Sequence, residues 1–222
     1  MNIKDNPLYK EDIETVLELN CDFSKLKGKS VLITGATGLI GSYLVDMLVF
    51  LSEKFCLNLS LYLVSRQKGN FTEKKGDVLI HYIKCDFSTE ELTGKLPETH
   101  DIDFIFHLAS TTHPLAYSKQ PVETIMINVN GTRELLELCS RNNSCRFILA
   151  SSVEVYGDDR EHLSEGFSET DFGYLDCNTS RSCYSEAKRL CESLCHAYKA
   201  EKNCDVVIAR IARSFGASLK KR

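Results

Sequence analysis

"SVLITGATGLIG", residues 30–41, decides how the rest of the chain is read. Ser30 to Thr34 are a short apolar, β-favouring run that stops at glycine, and "LIGSYLVDMLVFLSEKF" (39–55) then places its apolar side chains at helical spacing. Strand, glycine turn and helix in that order begin a βαβ unit. Glycine lets the backbone turn sharply and lets a ligand approach closely, while the helix start offers unpaired N–H groups and a positive dipole end. Gly35, Gly38 and Gly41 are spaced one residue wider than a GxGxxG fingerprint, and the group such a corner suits is a pyrophosphate.

The same alternation continues outward. "SLYLVS" (60–65), "LIHYIKCD" (79–86), "DFIFHLA" (103–109), "RFILASS" (146–152) and "DVVIAR" (205–210) read as further strands, with helices clearest at Val122 to Arg141 and Tyr184 to Glu201. Strands alternating with helices predict a doubly wound α/β domain, a parallel sheet covered on both faces with ligands beyond the carboxyl ends of its strands. Residues 5–20 read as an amphipathic helix with Ile13, Val16, Leu17 and Leu19 near one face, so residues 1–28 are expected to be a helical extension docked beside a domain of 29–222. The least regular stretches are 66–77 and 157–181. The second is long and runs into the helix at Tyr184, where a loop of that size is usually functional.

With 222 residues and 43% hydrophobic content, the chain suits one well-packed domain. A net charge of -4 with both signs scattered gives no footprint for nucleic acid or an anionic membrane, so a small molecule or a protein is the expected partner. No apolar run approaches the ~18 residues of a membrane span, and the charged N-terminus is unlike a secretory signal; a cytoplasmic protein is expected. The ten cysteines are expected to be reduced packing thiols without disulfides. Cys191, Cys195 and His196 share a helix with Cys183, but no CxxC pair completes a ligand set, so no metal is expected.

"CYSEAKR" (183–189) puts Tyr184 four residues ahead of Lys188, on one helix face. A phenol with a pKa near 10 is a poor base at neutral pH, but a nearby ammonium favours the phenolate and makes the pair a workable base.

With the glycine turn, Asp86 after the third strand, "HLAS" (107–110), Asn128, "SSVEVYG" (151–157), Tyr184 and Lys188 in this order, the chain resembles the extended short-chain dehydrogenase/reductase (NAD-dependent epimerase/dehydratase) family over about residues 29–217. The resemblance implies a Rossmann-type sheet of order 3-2-1-4-5-6 and a homodimer. It implies a bound NAD(P) held along Gly35, Thr37, Gly38, Leu39, Ile40 and Gly41. Ser65 and Arg66 would flank the adenosine ribose, Asp86 and Phe87 the adenine, and Leu108, Ala109, Ser110, Asn128 and Ser151 would line the cleft behind the cofactor. Tyr184 would take a sugar hydroxyl proton, Lys188 would also hold the nicotinamide ribose, and Ser152 would bond the hydroxyl. The acidic residue that would bind the ribose of NAD is missing after "LYLVS"; Arg66 suits the 2′-phosphate of NADP, while the sugar-modifying relatives mostly retain NAD.

"SSVEVYGD" discriminates among reactions. Relatives that carry out 4,6-dehydration place an aspartic acid where Val153 stands, and valine cannot donate a proton. Glu154 brings the pattern closest to the UDP-glucuronate decarboxylase branch, which oxidises C4, loses the C6 carboxylate from the β-keto acid and takes its hydride back. Epimerisation or dehydration stands second, and a non-catalytic NAD(P)-binding module third.

The expected nucleotide-sugar contacts are Ser110, Ser152, Glu154, Arg181 and Arg213. Glu154 reads either as catalytic or as an orienter of loop residues. Arg181 reads as a ligand for a substrate carboxylate or phosphate, or as a partner of the acids in "SETD". His107 is expected to pack at a strand end, with neither His107 nor His113 catalytic. The relatives carry asparagine and proline in place of Arg213 and Ala217, and most of their substrate domain has no counterpart before "ASLKKR", so a truncated domain is expected.

Overall fold

The computed structural model describes residues 6–69, 72–96, 102–111, 114–158 and 166–216. Its sheet contains β1 (Ser30–Thr34), β2 (Ser60–Ser65), β3 (Lys74–Lys75), β4 (Val78–Lys84), β5 (Phe104–His107), β6 (Arg146–Ser152) and β7 (Asp205–Ile211). They lie in the order β3-β4-β2-β1-β5-β6-β7. Every pairing is parallel except β3 on β4. Apart from that two-residue edge strand, the order is the expected 3-2-1-4-5-6, and the chain has the Rossmann-like fold that was expected.

Helices α1 (Pro7–Glu14), α2 (Leu39–Phe55), α3 (Pro114–Lys119), α4 (Pro121–Ser140) and α5 (Cys183–Lys202) surround the sheet. Successive strand residues point to opposite faces. Val31 and Ile33 therefore join Val45, Leu48, Val49, Leu61 and Leu63 on the α2 side. Leu32 joins Tyr62, Leu135, Leu136, Phe147 and Cys191 on the α4 and α5 side. Burial on both faces explains why β1 is a continuous apolar run rather than an alternating one.

The expected helix over 5–20 is shorter within the described residues. After Glu14 the chain tightens into a 3-10 turn, Thr15–Glu18, and a second follows at Phe23–Leu26. Thr15 Oγ1 donates to the Asp12 carbonyl at 2.6 Å, a local bond that competes with continued helix, and Val16 adds a second β-branched residue. The segment is anchored on α2: Tyr9 donates to Asp46 Oδ2 at 2.9 Å, and Tyr43 donates to the Asp12 carbonyl at 2.7 Å.

Strand ends bring the chemistry to one edge. The ladder of β5 stops at His107, short of the 103–109 run, because the Thr34 hydroxyl accepts the N–H groups of Leu108 and Ala109, each at 3.1 Å. Strand β3 falls inside the stretch expected to be irregular, where Gly76 at φ 60° turns Lys74 and Lys75 back onto Val78 and Leu79. No helix among the described residues is long and apolar enough to cross a membrane. Cys191 and Cys195 are buried while His196 is exposed, so the three do not converge; among the described residues no group of side chains could hold a metal ion.

Candidate active site

The corner between β1 and α2 is built by steric necessity. Gly35 sits at φ 69°, and a β-carbon there would lie 2.9 Å from both Ala109 N and Leu108 C. A β-carbon on Gly41 would overlap the Gly35 carbonyl and come 2.9 Å from Ala36 Cα. Gly38 caps α2 in an extended conformation with no side-chain cap, and Thr37 and Gly38 are exposed. The N-terminal end of α2, which begins at Leu39, is therefore open to solvent at Thr37, Gly38 and Ile40. That is the physical requirement for cradling a pyrophosphate.

Behind the corner lies a buried polar relay. Thr34 Oγ1 accepts two backbone N–H groups, so its own proton turns to His107 Nδ1 at 2.8 Å. Burial, followed by the charge of Lys188, pushes the His107 pKa down to about 3, leaving a neutral packing ring. Asn128 is wholly buried; it donates to the Thr124 carbonyl at 2.8 Å and accepts from Ser110 Oγ at 2.9 Å. Its side chain fixes Ser110 instead of facing the cleft itself. Phe87 is likewise buried, edge-on to His107 at 6.0 Å. Asp86 uses Oδ1 to accept from the Ser88 backbone and hydroxyl, at 3.0 and 2.7 Å, which ends β4 in a turn.

At the end of β2, Ser65 is buried and donates to the Gln67 carbonyl at 2.8 Å. Arg66 projects outward, 60% exposed, with Nη1 3.5 Å from Glu123 Oε1 in the first turn of α4. Sequence reasoning did not single out Glu123.

Tyr184 and Lys188 share the inward face of α5, next to the end of β6. Both are buried, and Lys188 Nζ stands 5.8 Å from the Tyr184 ring centre. The charge tuning differs from expectation. Burial raises the Tyr184 pKa, the Ser152 hydroxyl pulls it down through a hydrogen bond, and the Glu154 charge raises it; the outcome is above the ordinary value. Lys188 Nζ donates to the Ala150 carbonyl at 2.8 Å, and desolvation pushes its own pKa down to about 8. The ammonium is thus directed at the backbone, and the phenol is protonated.

Ser152 also accepts from the Glu154 N–H at 3.2 Å, starting the turn that carries Glu154. Ser151 is directed the other way, donating to Glu192, which is itself held by Arg210. Ser151 therefore ties β6 to α5 and β7.

Glu154 is a hydrogen-bond junction. Its Oε1 accepts from Tyr117 and Arg181 Nη2, both at 3.3 Å, and its Oε2 accepts from Arg181 Nη1 at 3.0 Å and Ser185 at 2.8 Å. Burial works to raise its pKa, yet the bonds from Arg181 and Ser185 win and hold the carboxyl below its ordinary value. An ionised carboxylate with each oxygen doubly engaged suits positioning better than proton abstraction. Arg181 thus meets neither the "SETD" acids nor open solvent alone: it pairs with Glu154 and lies 4.9 Å over the Tyr117 ring.

Tyr117, stacked on Tyr184 at 5.3 Å with an 11° interplanar angle, is a site residue that sequence reasoning missed. Its only signal is an aromatic residue in the short helix α3 after β5. Arg213 is exposed beyond β7, in a segment that comes back toward α2: a β-carbon on Gly216 would lie 3.4 Å from Leu39 Cδ1. His113 and Ala217 lie outside the described residues.

A family model described as the NAD dependent epimerase/dehydratase family matches residues 31–222. The chain is 36% identical over 192 residues to UDP-glucuronic acid decarboxylase 2 of Arabidopsis thaliana, covering 86% of this chain and 40% of that protein. It is 34% identical over 189 residues to UDP-glucuronic acid decarboxylase 1 of Xenopus tropicalis, covering 85% and 42%. Among solved structures it is similar to UDP-glucuronic acid 4-epimerase from Bacillus cereus in complex with NAD, at TM-score 0.62 and 25% identity, covering 82% of this chain and 55% of that one. MoeE5 in complex with UDP-glucose and NAD superposes at TM-score 0.61 and 27% identity, covering 81% and 52%. The chain thus spans less than half the length of these curated relatives and about half that of the solved ones.

Proposed function

The chain belongs to the NAD dependent epimerase/dehydratase family, and from that premise we propose that it is the dinucleotide-binding part of a nucleotide-sugar enzyme, with UDP-glucuronate decarboxylation as its reaction. On this reading residues 29–222 belong to that part and residues 1–28 to an extension, whose described helix α1 is tied to α2 through Tyr9 and Asp12. One observation carries the reading: Tyr184, Lys188 and Ser152 meet at the strand ends that also carry the glycine corner.

The corner fits a dinucleotide because β-carbons at Gly35 and Gly41 would strike backbone and push strand, loop and helix apart, while exposed Thr37 and Gly38 leave the start of α2 open to a ligand. Gly35, Thr37, Gly38 and Gly41 would hold the pyrophosphate, and Lys188 the nicotinamide ribose. When bound, the dinucleotide supplies the hydride acceptor and returns the hydride at the end.

Ser152 holds the C4 hydroxyl of the sugar, and Tyr184 takes its proton. With its ammonium held on the Ala150 carbonyl, Lys188 fixes the floor of the site beside the Tyr184 ring; burial raises the phenol pKa, and the Ser152 hydrogen bond is what draws it down toward the proton transfer. The resulting C4 ketone lies β to the C6 carboxylate and accepts the electrons as carbon dioxide leaves; the enolate takes a proton from water at C5, and Tyr184 gives its own proton back to the C4 oxygen as the ketone is reduced. Glu154 holds Tyr117 and Arg181 at the substrate end of the site. Val153 offers no proton to a departing hydroxyl, which disfavours 4,6-dehydration.

C4 epimerisation is the second reading, favoured by the likeness to a UDP-glucuronic acid 4-epimerase; it begins with the same oxidation and omits loss of the carboxylate. Incubating the protein with NAD and a panel of nucleotide sugars, with products identified by mass spectrometry, separates the outcomes. Loss of carbon dioxide from UDP-glucuronate supports decarboxylation, a change of C4 configuration alone supports epimerisation, and dinucleotide binding without conversion leaves a binding module. Tyr184→Phe is expected to abolish turnover and leave dinucleotide affinity within about two-fold, because one hydroxyl is lost from the reacting centre only. Full activity in that variant would remove Tyr184 from its role.

A further inference from the structure

The Rossmann arrangement ordinarily reads the adenosine ribose at the end of the second strand, with an acidic residue for a free 2′-hydroxyl or an arginine for a 2′-phosphate. In this chain the strand ends at Ser65 and Arg66 follows it, which by sequence alone points to the phosphorylated dinucleotide. The fold adds a carboxylate from elsewhere: Glu123, half-buried in the first turn of α4, has Oε1 3.5 Å from Arg66 Nη1. A guanidinium already facing a carboxylate attracts a dianionic phosphate less, and that carboxylate repels the phosphate directly.

We propose that Glu123 is a cofactor-specificity residue, which shares Arg66 and so withholds it from a ribose 2′-phosphate, setting the cleft for the unphosphorylated dinucleotide. The inference rests on the dinucleotide reading of the cleft. Glu123 also favours the positive end of the α4 dipole, but that contribution stabilises the helix alike whichever dinucleotide is present. Only a charge effect on the 2′-phosphate changes the ratio of the two affinities.

The test is calorimetric titration of NAD and NADP, at low ionic strength, into the wild-type chain, Glu123→Gln, Arg66→Gln and the double variant. Because the ion pair is exposed and monodentate, the expected effect is modest: Glu123→Gln tightens NADP roughly three- to ten-fold and leaves NAD within about two-fold. Arg66→Gln weakens NADP more than NAD, and in that background the further Glu123→Gln change improves NADP by less than it does in the wild type. Glu123→Ala, as a second variant, shifts the ratio in the same direction. An unchanged ratio in Glu123→Gln, or an equal gain with and without Arg66, overturns the inference while the cofactor reading stands. A wild-type chain that binds neither dinucleotide overturns the cofactor reading, and this inference with it.

Discussion

Lys188 has its ammonium buried against the Ala150 carbonyl, and its pKa is pushed down from 10.5 to about 8 by desolvation. Below pH 8 the folded protein must keep that charge out of water, whereas the unfolded chain hydrates it. Between pH 8 and 10.5 the unfolded state binds more protons, so this group's contribution makes stability rise with pH there. The gain from Lys188→Met, relative to wild type, should be about 2 kcal/mol larger at pH 7 than at pH 10. Urea unfolding at the two pH values measures this; an equal difference at both would mean that the lysine is not desolvated. The pair's helical spacing made Tyr184 and Lys188 legible in the sequence. Their tuning was not legible, because it depends on Ala150 from β6 and on Glu154 from the turn after it. Tyr117 escaped for the same reason: stacking on Tyr184 is a contact between distant segments that no local spacing encodes.

At the scale of elements, the glycine corner and an ordinary glycine turn make opposite predictions. Gly41→Ala drives a β-carbon into the Gly35 carbonyl and should cost about 2–4 kcal/mol while abolishing dinucleotide binding. Gly28 also has positive φ, 69°, but a β-carbon there meets nothing within 4 Å. Gly28→Ala should cost only about 1 kcal/mol and leave binding unchanged. Urea unfolding with parallel dinucleotide titration distinguishes the two, and equal effects would deny the corner its role.

The main strands and helices were readable from periodicity because each buries an apolar face. What departed from the reading was decided by hydrogen bonds rather than hydrophobicity. Thr34 captures the N–H groups that would have prolonged β5, and Asp86 turns the chain after β4. Strand β3 and helix α3 are too short to show a period.

Across the molecule, the strand ends of β1, β2, β5 and β6 gather the glycine corner, Arg66, Ser110 and Ser152 onto one edge of the sheet. This placement was legible in the sequence, since a doubly wound sheet has only one edge where its strands finish. The cross-segment ties were not. Arg189 donates to the carbonyls of Val155 and Gly173, at 2.7 and 2.8 Å, and clasps the turn after β6 to the stretch before α5. Arg189→Ala should therefore loosen the setting of Glu154 and Arg181 and, under the nucleotide-sugar reading proposed for the chain, raise KM for that sugar more than it changes dinucleotide affinity. Steady-state kinetics beside dinucleotide titration checks this, and a fall in dinucleotide affinity alone would contradict it.

Each role proposed for this chain requires that it bind a dinucleotide, and calorimetric titration of NAD into the folded wild-type chain tests that most directly. The account predicts saturable one-to-one binding that disappears in Gly41→Ala. A folded wild-type chain that takes up no dinucleotide, or a Gly41→Ala chain that binds it as tightly as wild type, would contradict it.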